Sequence, residues 1–392
     1  MKITDVKTML LTYVCPPQDE HHSDFGRHVA YHAAVVVVET DEGIKGYGEA
    51  KGDPDVMKAA IEKHLKPMLV GKDPTQVEYL WELMYNGSRI GLTLKYGRPH
   101  PVLGHLGEYM CAVSGVDIAL WDVTGKALGV PVYKLMGGGY RNRIRAYASG
   151  GWAPRHLAAE ELSGYVAKGF NAVKMRVGGI DEPNQVRGSL ARVEAVREAL
   201  GPDVDIMVDS HGSFGATLGL KFAVGAEDYN LAWFEEPCTS DDVDGLARLR
   251  GATTIPIAAG ENEFSRFGFR NYIEKQALDI FQPDAAICGG LTESKRIANL
   301  AYTWNIQMAP HVWGSGLLFA ASLQLAAAIP NYYIFEFCQA PNPLFIDLFT
   351  ESLKVGKDGF VDIPNKPGLG FELQPDLEKR FPYVAQPERV AG

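Results

Sequence analysis

The feature that most restricts the fold is a rhythm in the second half of the chain. Short apolar segments recur at Ile144–Tyr147, Ala172–Met175, Val204–Val208, Leu231–Phe234, Ile257–Ala259, Ile280–Gln282, Ile306–Ala309 and Tyr332–Phe335. Their starts step by 23 to 32 residues, the length of one strand plus one helix. Helical patterns such as Val186, Leu190, Val193 and Val196 lie between them. Eight such units predict an α/β fold, a (β/α)8 TIM barrel. An open doubly wound sheet is the competing reading. It usually carries a phosphate loop, and no G-x-G-x-x-G follows a strand here.

The residues before this rhythm read as a mixed α+β unit. Ile3–Tyr13 alternates imperfectly, and Val29–Glu39 is rich in β-branched residues. Asp41-Glu42-Gly43 then signals a turn into a second hairpin strand, Ile44–Glu49. Val113, Val116, Leu120, Val123 and Ala127 follow helical spacing, ended by Gly129 and Pro131. Gly137-Gly138-Gly139 marks a boundary, so the expected division is 1–130, 138–341 and a Pro-rich tail 342–392 that packs back on the first unit.

Composition removes other classes. The chain has 392 residues, 46% hydrophobic and 22% charged, which suits a globular protein of two domains. Lys plus Arg is 38 against 48 for Asp plus Glu, with no basic run, so nucleic acid and anionic membrane are not expected partners. Five scattered cysteines without C-x-x-C spacing argue against a disulfide framework and suit a reducing compartment. Met1–Leu11 lacks signal-peptide architecture, and the apolar stretches Ala33–Val38 and Gly316–Ile329 are not membrane spans. A cytoplasmic location is expected.

Barrel enzymes carry their chemistry at the C-terminal ends of the strands. Strand two ends in Lys174-Met175-Arg176, three in Asp209-Ser210-His211, four in Glu235-Glu236-Pro237 and five in Gly260-Glu261-Asn262. Strand six carries Asp284, seven His311 and eight Glu336. Asp209, Glu235 and Glu261 are spaced 26 residues apart, twice, so one βα step separates each from the next. Three carboxylates converging on one mouth repel unless a cation sits among them, and all-oxygen ligands suit Mg2+. The bland alternative is that these acids cap the following helices.

In these motifs the chain resembles the enolase superfamily, in its mandelate racemase subgroup. Lys174-Met175-Arg176, Val208-Asp209-Ser210-His211, Phe234-Glu235-Glu236-Pro237, Gly260-Glu261-Asn262, Pro283-Asp284-Ala285 and His311 carry the likeness. The resemblance implies a modified (β/α)7β barrel under an α+β capping domain formed by both termini. It also implies Mg2+ on Asp209, Glu235 and Glu261, with Glu236 behind them, and removal of a proton next to a carboxylate. A Lys or His base beside Mg2+ is a known pairing of this superfamily. His311 is the candidate base, its tautomer set by Asp284; taken alone it could equally be structural. Lys174 and Arg176, pointing the same way from one strand, would bind the substrate carboxylate. Glu336, protonated by its anionic surroundings, would donate to the opposite oxygen. The family also implies a homo-oligomer.

Two departures from the racemase pattern bear on the reaction. Arg176 stands where a second lysine base is usual, and arginine stays protonated, which speaks against two-base racemisation. His211 stands where Asn is usual, and Asp-x-His-Gly resembles D-galactonate and D-mannonate dehydratases. The expectation is an acid-sugar dehydratase acting on an aldonate or aldarate. His311 takes the α-proton, an enediolate forms, and His211 protonates the leaving 3-hydroxyl, giving a 2-keto-3-deoxy acid. His211 could instead only support a metal ligand. Rival readings are a racemase, epimerase or lactone cycloisomerase on the same frame, or a non-catalytic metal-stabilised scaffold. The polar segment His21–His28 could contact sugar hydroxyls or be solvated. Trp152 and Trp313 could shape the pocket or serve a core or interface.

Overall fold

The computed structural model describes residues 1–23, 26–87, 91, 95–97, 106–179 and 184–385. The N-terminal sheet is antiparallel. β1 (Ile3–Val14) pairs with β4 (Ala30–Thr40), and β4 pairs with β5 (Lys45–Ala50) through the turn at Gly43. β2 (His21–Ser23) and β3 (Gly26–His28) form a separate short ladder. Asp24 and Phe25 of the polar segment, and the side chains of His21, His22 and Ser23, lie outside the described residues.

One face of this sheet is covered by the helix Glu108–Leu128, which Gly129 ends in the left-handed conformation. Strand and helix lie unusually close, because β5 offers glycines where they cross. A Cβ on Gly48 would sit 2.1 Å from the carbonyl oxygen of Gly115. The strand residues Val6, Val36 and Val38 and the helix residues Val116, Leu120 and Val123 share one buried core.

The second half forms one parallel sheet. Its strands are β6 (Arg143–Ser149), β7 (Ala172–Arg176), β8 (Asp205–Asp209), β9 (Leu231–Glu235), β10 (Ile257–Ala259), β11 (Ile280–Phe281), β12 (Gln307–Met308) and β13 (Phe335–Cys338). Their order is β12-β11-β10-β9-β8-β7-β6-β13, all neighbours parallel. Each predicted segment meets one of these strands except the last, Tyr332–Phe335, which precedes β13 and overlaps it only at Phe335. Tyr332 instead makes a parallel bridge to Met308, drawing the two ends of the curled sheet toward each other.

The tail first joins this sheet. β14 (Phe360–Asp362) runs antiparallel on the edge of β6. It then reaches the N-terminal sheet, where the Phe381 carbonyl accepts from the Thr12 amide at 3.2 Å. Among the described residues, no helix is long and apolar enough to cross a membrane.

Candidate active site

Strand periodicity builds the site. Tyr147, Ala172, Met207, Trp233, Ala258, Ile280, Ala309 and Ile334, one from each strand or its edge, form a single buried apolar cluster. Side chains two residues apart on a strand share a face. The next layer toward the C-terminal ends is therefore Ser149, Lys174, Asp209, Glu235, Gly260, Gln282, His311 and Glu336. The apolar cluster is its floor.

Lys174 sits at the centre of this layer, almost fully buried. Its Nζ lies 2.7 Å from Glu235 Oε1, 3.1 Å from Glu336 Oε1 and 3.5 Å from Asp209 Oδ2. Burial alone would favour the neutral amine, but Glu235 and Glu336 outweigh it and hold Lys174 protonated. The surrounding carboxylates thus favour the ammonium form of Lys174. Arg176, one strand position on, forms an ion pair with Asp209. Its guanidinium also stands 5.9 Å from the Trp152 ring, and Trp152 meets Trp313 edge-on at 5.2 Å. The two tryptophans therefore touch each other and shelter Arg176.

The three spaced carboxylates do not cap helices. The caps of the helices after β8, β9 and β10 are Phe214, Asp242 and Phe264. Asp209, His211 and Glu261 instead offer ligand atoms within 4.8 Å of one another. Glu235 is outside that group. Its Oε1 faces Lys174, and its Oε2 accepts from Trp233 Nε1 at 2.9 Å. It remains the register partner of Asp209 on the adjoining strand. Behind them, burial first and then the charges of Glu261 and Glu235 push Glu236 up to about 8. Asn262 donates to it at 3.4 Å. His211 and Glu236 both adopt left-handed backbone, with φ of 43° and 39°, so the chain turns sharply at both strand ends.

His311 Nδ1 lies 2.7 Å from Asp284 Oδ2, and its Nε2 is 3.6 Å from Glu261 Oε2. Burial is the largest influence and would lower the imidazole, but Glu261, Glu336 and the bond to Asp284 together outweigh it, and the net direction is upward. For Glu336 the structure corrects the expectation of a protonated acid. Burial does favour protonation, yet Lys174 and His311 overcome it and hold Glu336 well below the usual carboxylate range. Its Oε2 accepts from the Val312 amide at 2.6 Å.

Sequence reasoning missed two residues of the first unit that enter this site. Lys51 Nζ reaches Asp284 Oδ2 at 2.9 Å. Glu49 accepts from the Ser315 and Leu318 amides at 3.0 and 3.2 Å, holding the segment after His311. Alternation places both on one side of the end of β5, but only domain docking reveals what they meet. Gln282 was also missed; its buried amide belongs to the site layer by position alone.

Six carboxylates, Asp209, Glu235, Glu236, Glu261, Asp284 and Glu336, thus gather round three fixed cations, Lys51, Lys174 and Arg176. A constellation of this kind at the strand ends of a parallel sheet, with a helix-backed antiparallel sheet above it, defines an acid–base enzyme that gathers anionic oxygens. The family models for the mandelate racemase/muconate lactonizing enzyme N-terminal domain and the enolase C-terminal domain-like family match residues 10–137 and 157–377. The chain belongs to the enolase superfamily. D-galactarolactone cycloisomerase of Agrobacterium fabrum is 35% identical over 97% of this chain and 99% of its own. Arabinonate dehydratase of Saccharolobus solfataricus is 34% identical, also over 97% and 99%. A solved structure of an enolase-superfamily member from Polaromonas sp. JS666 covers both chains completely at 35% identity, with a TM-score of 0.88. The Agrobacterium and Saccharolobus relatives are named for reactions of an acid-sugar lactone and an acid sugar.

Proposed function

We propose that this protein is a Mg2+-dependent acid-sugar dehydratase of an aldonate or aldarate. The observation that carries the reading is that two histidines flank one carboxylate: His311, backed by Asp284, stands 3.6 Å from Glu261, and His211, beside Asp209, offers a ring nitrogen within 4.8 Å of a Glu261 oxygen. With Glu236 protonated, five carboxylates against three cations leave room for a divalent cation, and Asp209, Glu261 and Glu235 are the oxygen donors suited to hold it. When bound there, Mg2+ supplies positive charge to the substrate carboxylate as the α-carbon loses its proton.

The residues of the chain do the rest. Lys174 and Arg176 attract and orient the substrate carboxylate, and Lys174, fixed as a cation, stabilises charge developing on it. His311 carries its Nδ1 proton toward Asp284, which leaves Nε2 to take the α-proton. His211 gives a proton to the departing 3-hydroxyl. The enol then becomes a 2-keto-3-deoxy acid. With Lys174 protonated and Arg176 a permanent cation, neither serves as a second base to His311, which favours elimination over racemisation. We take the frame to be the family's (β/α)7β barrel, residues 138–341, with the capping domain built from 1–130 and 342–392.

The A. fabrum relative supports a second reading, a lactone cycloisomerase on the same residues. Incubating the Mg2+-loaded protein with a panel of aldonates, aldarates and aldarolactones separates the two. A 2-keto acid formed with water loss supports the dehydratase. A ring-opened product without water loss replaces it with the cycloisomerase.

A further inference from the structure

The strongest feature outside the chemistry just described is the reach of the N-terminal unit into the base. Lys51 follows β5 directly, and its Nζ lies 2.9 Å from Oδ2 of Asp284, the same oxygen that takes His311 Nδ1 at 2.7 Å. The other oxygen, Oδ1, accepts from the Ala286 amide at 2.7 Å. Every strong contact of this fully buried carboxylate is therefore assigned, and one comes from another domain. Two residues earlier, Glu49 accepts from Ser315 and Leu318, so the end of β5 is tied both to Asp284 and to the segment after His311.

We propose that Lys51 is a positioning residue for the base, delivered by the N-terminal unit, and that it fixes the Asp284 oxygen that orients His311. The inference rests on the reading of His311 as the base. Lys51 has no role in binding the metal, and its ammonium is turned to Asp284.

The physical reason is charge compensation. A buried carboxylate without a cation tends to take up a proton. A neutral Asp284 could donate its O–H to His311 Nδ1, which would place the ring proton on Nε2. That atom must be empty to accept an α-proton. Lys51 keeps Asp284 an acceptor, although burial works against the ionised form. Docking of the N-terminal unit and readiness of the base then become one event.

The test uses Lys51→Met, Lys51→Gln and Lys51→Arg in the full chain with Mg2+. The His311 tautomer is read by nitrogen-15 NMR without substrate, and kcat and KM are measured with any acid sugar found to turn over. In the parent the ring proton is expected on Nδ1. In Lys51→Met and Lys51→Gln it should shift to Nε2 or exchange between the two, with kcat down about 10- to 100-fold, as for other residues that orient a functional histidine. KM should change less than about twofold, since substrate recognition is common to ground and transition states. Lys51→Arg should restore the tautomer and most of kcat. An unchanged tautomer in both neutral variants would overturn the proposal even if no substrate is found. So would a rise in KM with kcat intact, which would make Lys51 a substrate ligand. If the tautomer shifts but no acid sugar turns over, the positioning role stands and the dehydratase reading fails.

Discussion

Lys174→Met is the perturbation that exposes how the site is held together. Methionine nearly matches the lysine stem in volume, so the substitution removes charge and leaves packing in place. Lys174 Nζ bridges Glu235, Glu336 and Asp209 at 2.7, 3.1 and 3.5 Å, all almost fully buried. Without it, Arg176 is the remaining fixed cation in contact with this trio, through Asp209. Breaking a buried ion pair on one side costs about 3–5 kcal/mol, and three acids sharing one cation belong at the upper end. Glu336 is held low by Lys174, so its stabilising contribution is present above the ordinary carboxylate range and fades as pH falls through its lowered value. The deficit of the variant should therefore be full at neutral pH and shrink once the medium approaches the ordinary carboxylate pKa of about 4.3. Mg2+ offers the carboxylates another cation, and a ligand at about 100 times its Kd stabilises by about 2.7 kcal/mol. Urea unfolding followed by tryptophan fluorescence, at neutral and acidic pH and with and without MgCl2, measures all of this. Equal midpoints for parent and variant in chelator at neutral pH would refute the electrostatic reasoning.

Other substitutions separate the roles. In heavy water, His311→Asn should lose both α-proton exchange and water loss. His211→Asn should keep exchange while dehydration falls by about 10²–10⁴-fold, the range for one general acid; intact dehydration would demote His211 to metal support. Glu261→Gln should abolish Mg2+-dependent turnover and metal uptake, measured by calorimetry, while circular dichroism stays unchanged. Arg176→Lys should mainly raise KM, because a planar bidentate donor becomes a point charge, and unaltered kinetics in Arg176→Ala would place that residue outside the site.

The catalytic layer was legible because it obeys two periods at once. One βα step separates neighbouring strand ends, and two residues separate the apolar floor from the ionisable layer above it. Both periods mark Lys174, Asp209, Glu235, His311 and Glu336, while Glu261, one residue beyond the layer position Gly260, is marked by the 26-residue step alone. They do not reveal which acid faces which cation. Glu336 was read as protonated because its carboxylate neighbours were visible in sequence, while the nearness of Lys174 across the mouth was not. Lys51 was illegible for a related reason: it is 233 residues from Asp284, and no local pattern marks a contact made by docking. The last strand was placed early because Tyr332 is apolar like a strand residue but makes only a bridge to Met308. The tail reads as irregular in sequence because Phe360–Asp362 takes its partner from β6, far back along the chain at Arg143–Arg145.

The most direct test of the dehydratase reading is to supply a library of aldonates and aldarates with Mg2+ in heavy water and follow products by proton NMR. The expected result is one acid sugar, or one stereochemical series, converted to a 2-keto-3-deoxy acid with solvent deuterium at C3. Ring opening of a lactone or inversion at C2 without loss of water, or neither a 2-keto acid nor α-proton exchange from any member of the library, would contradict it.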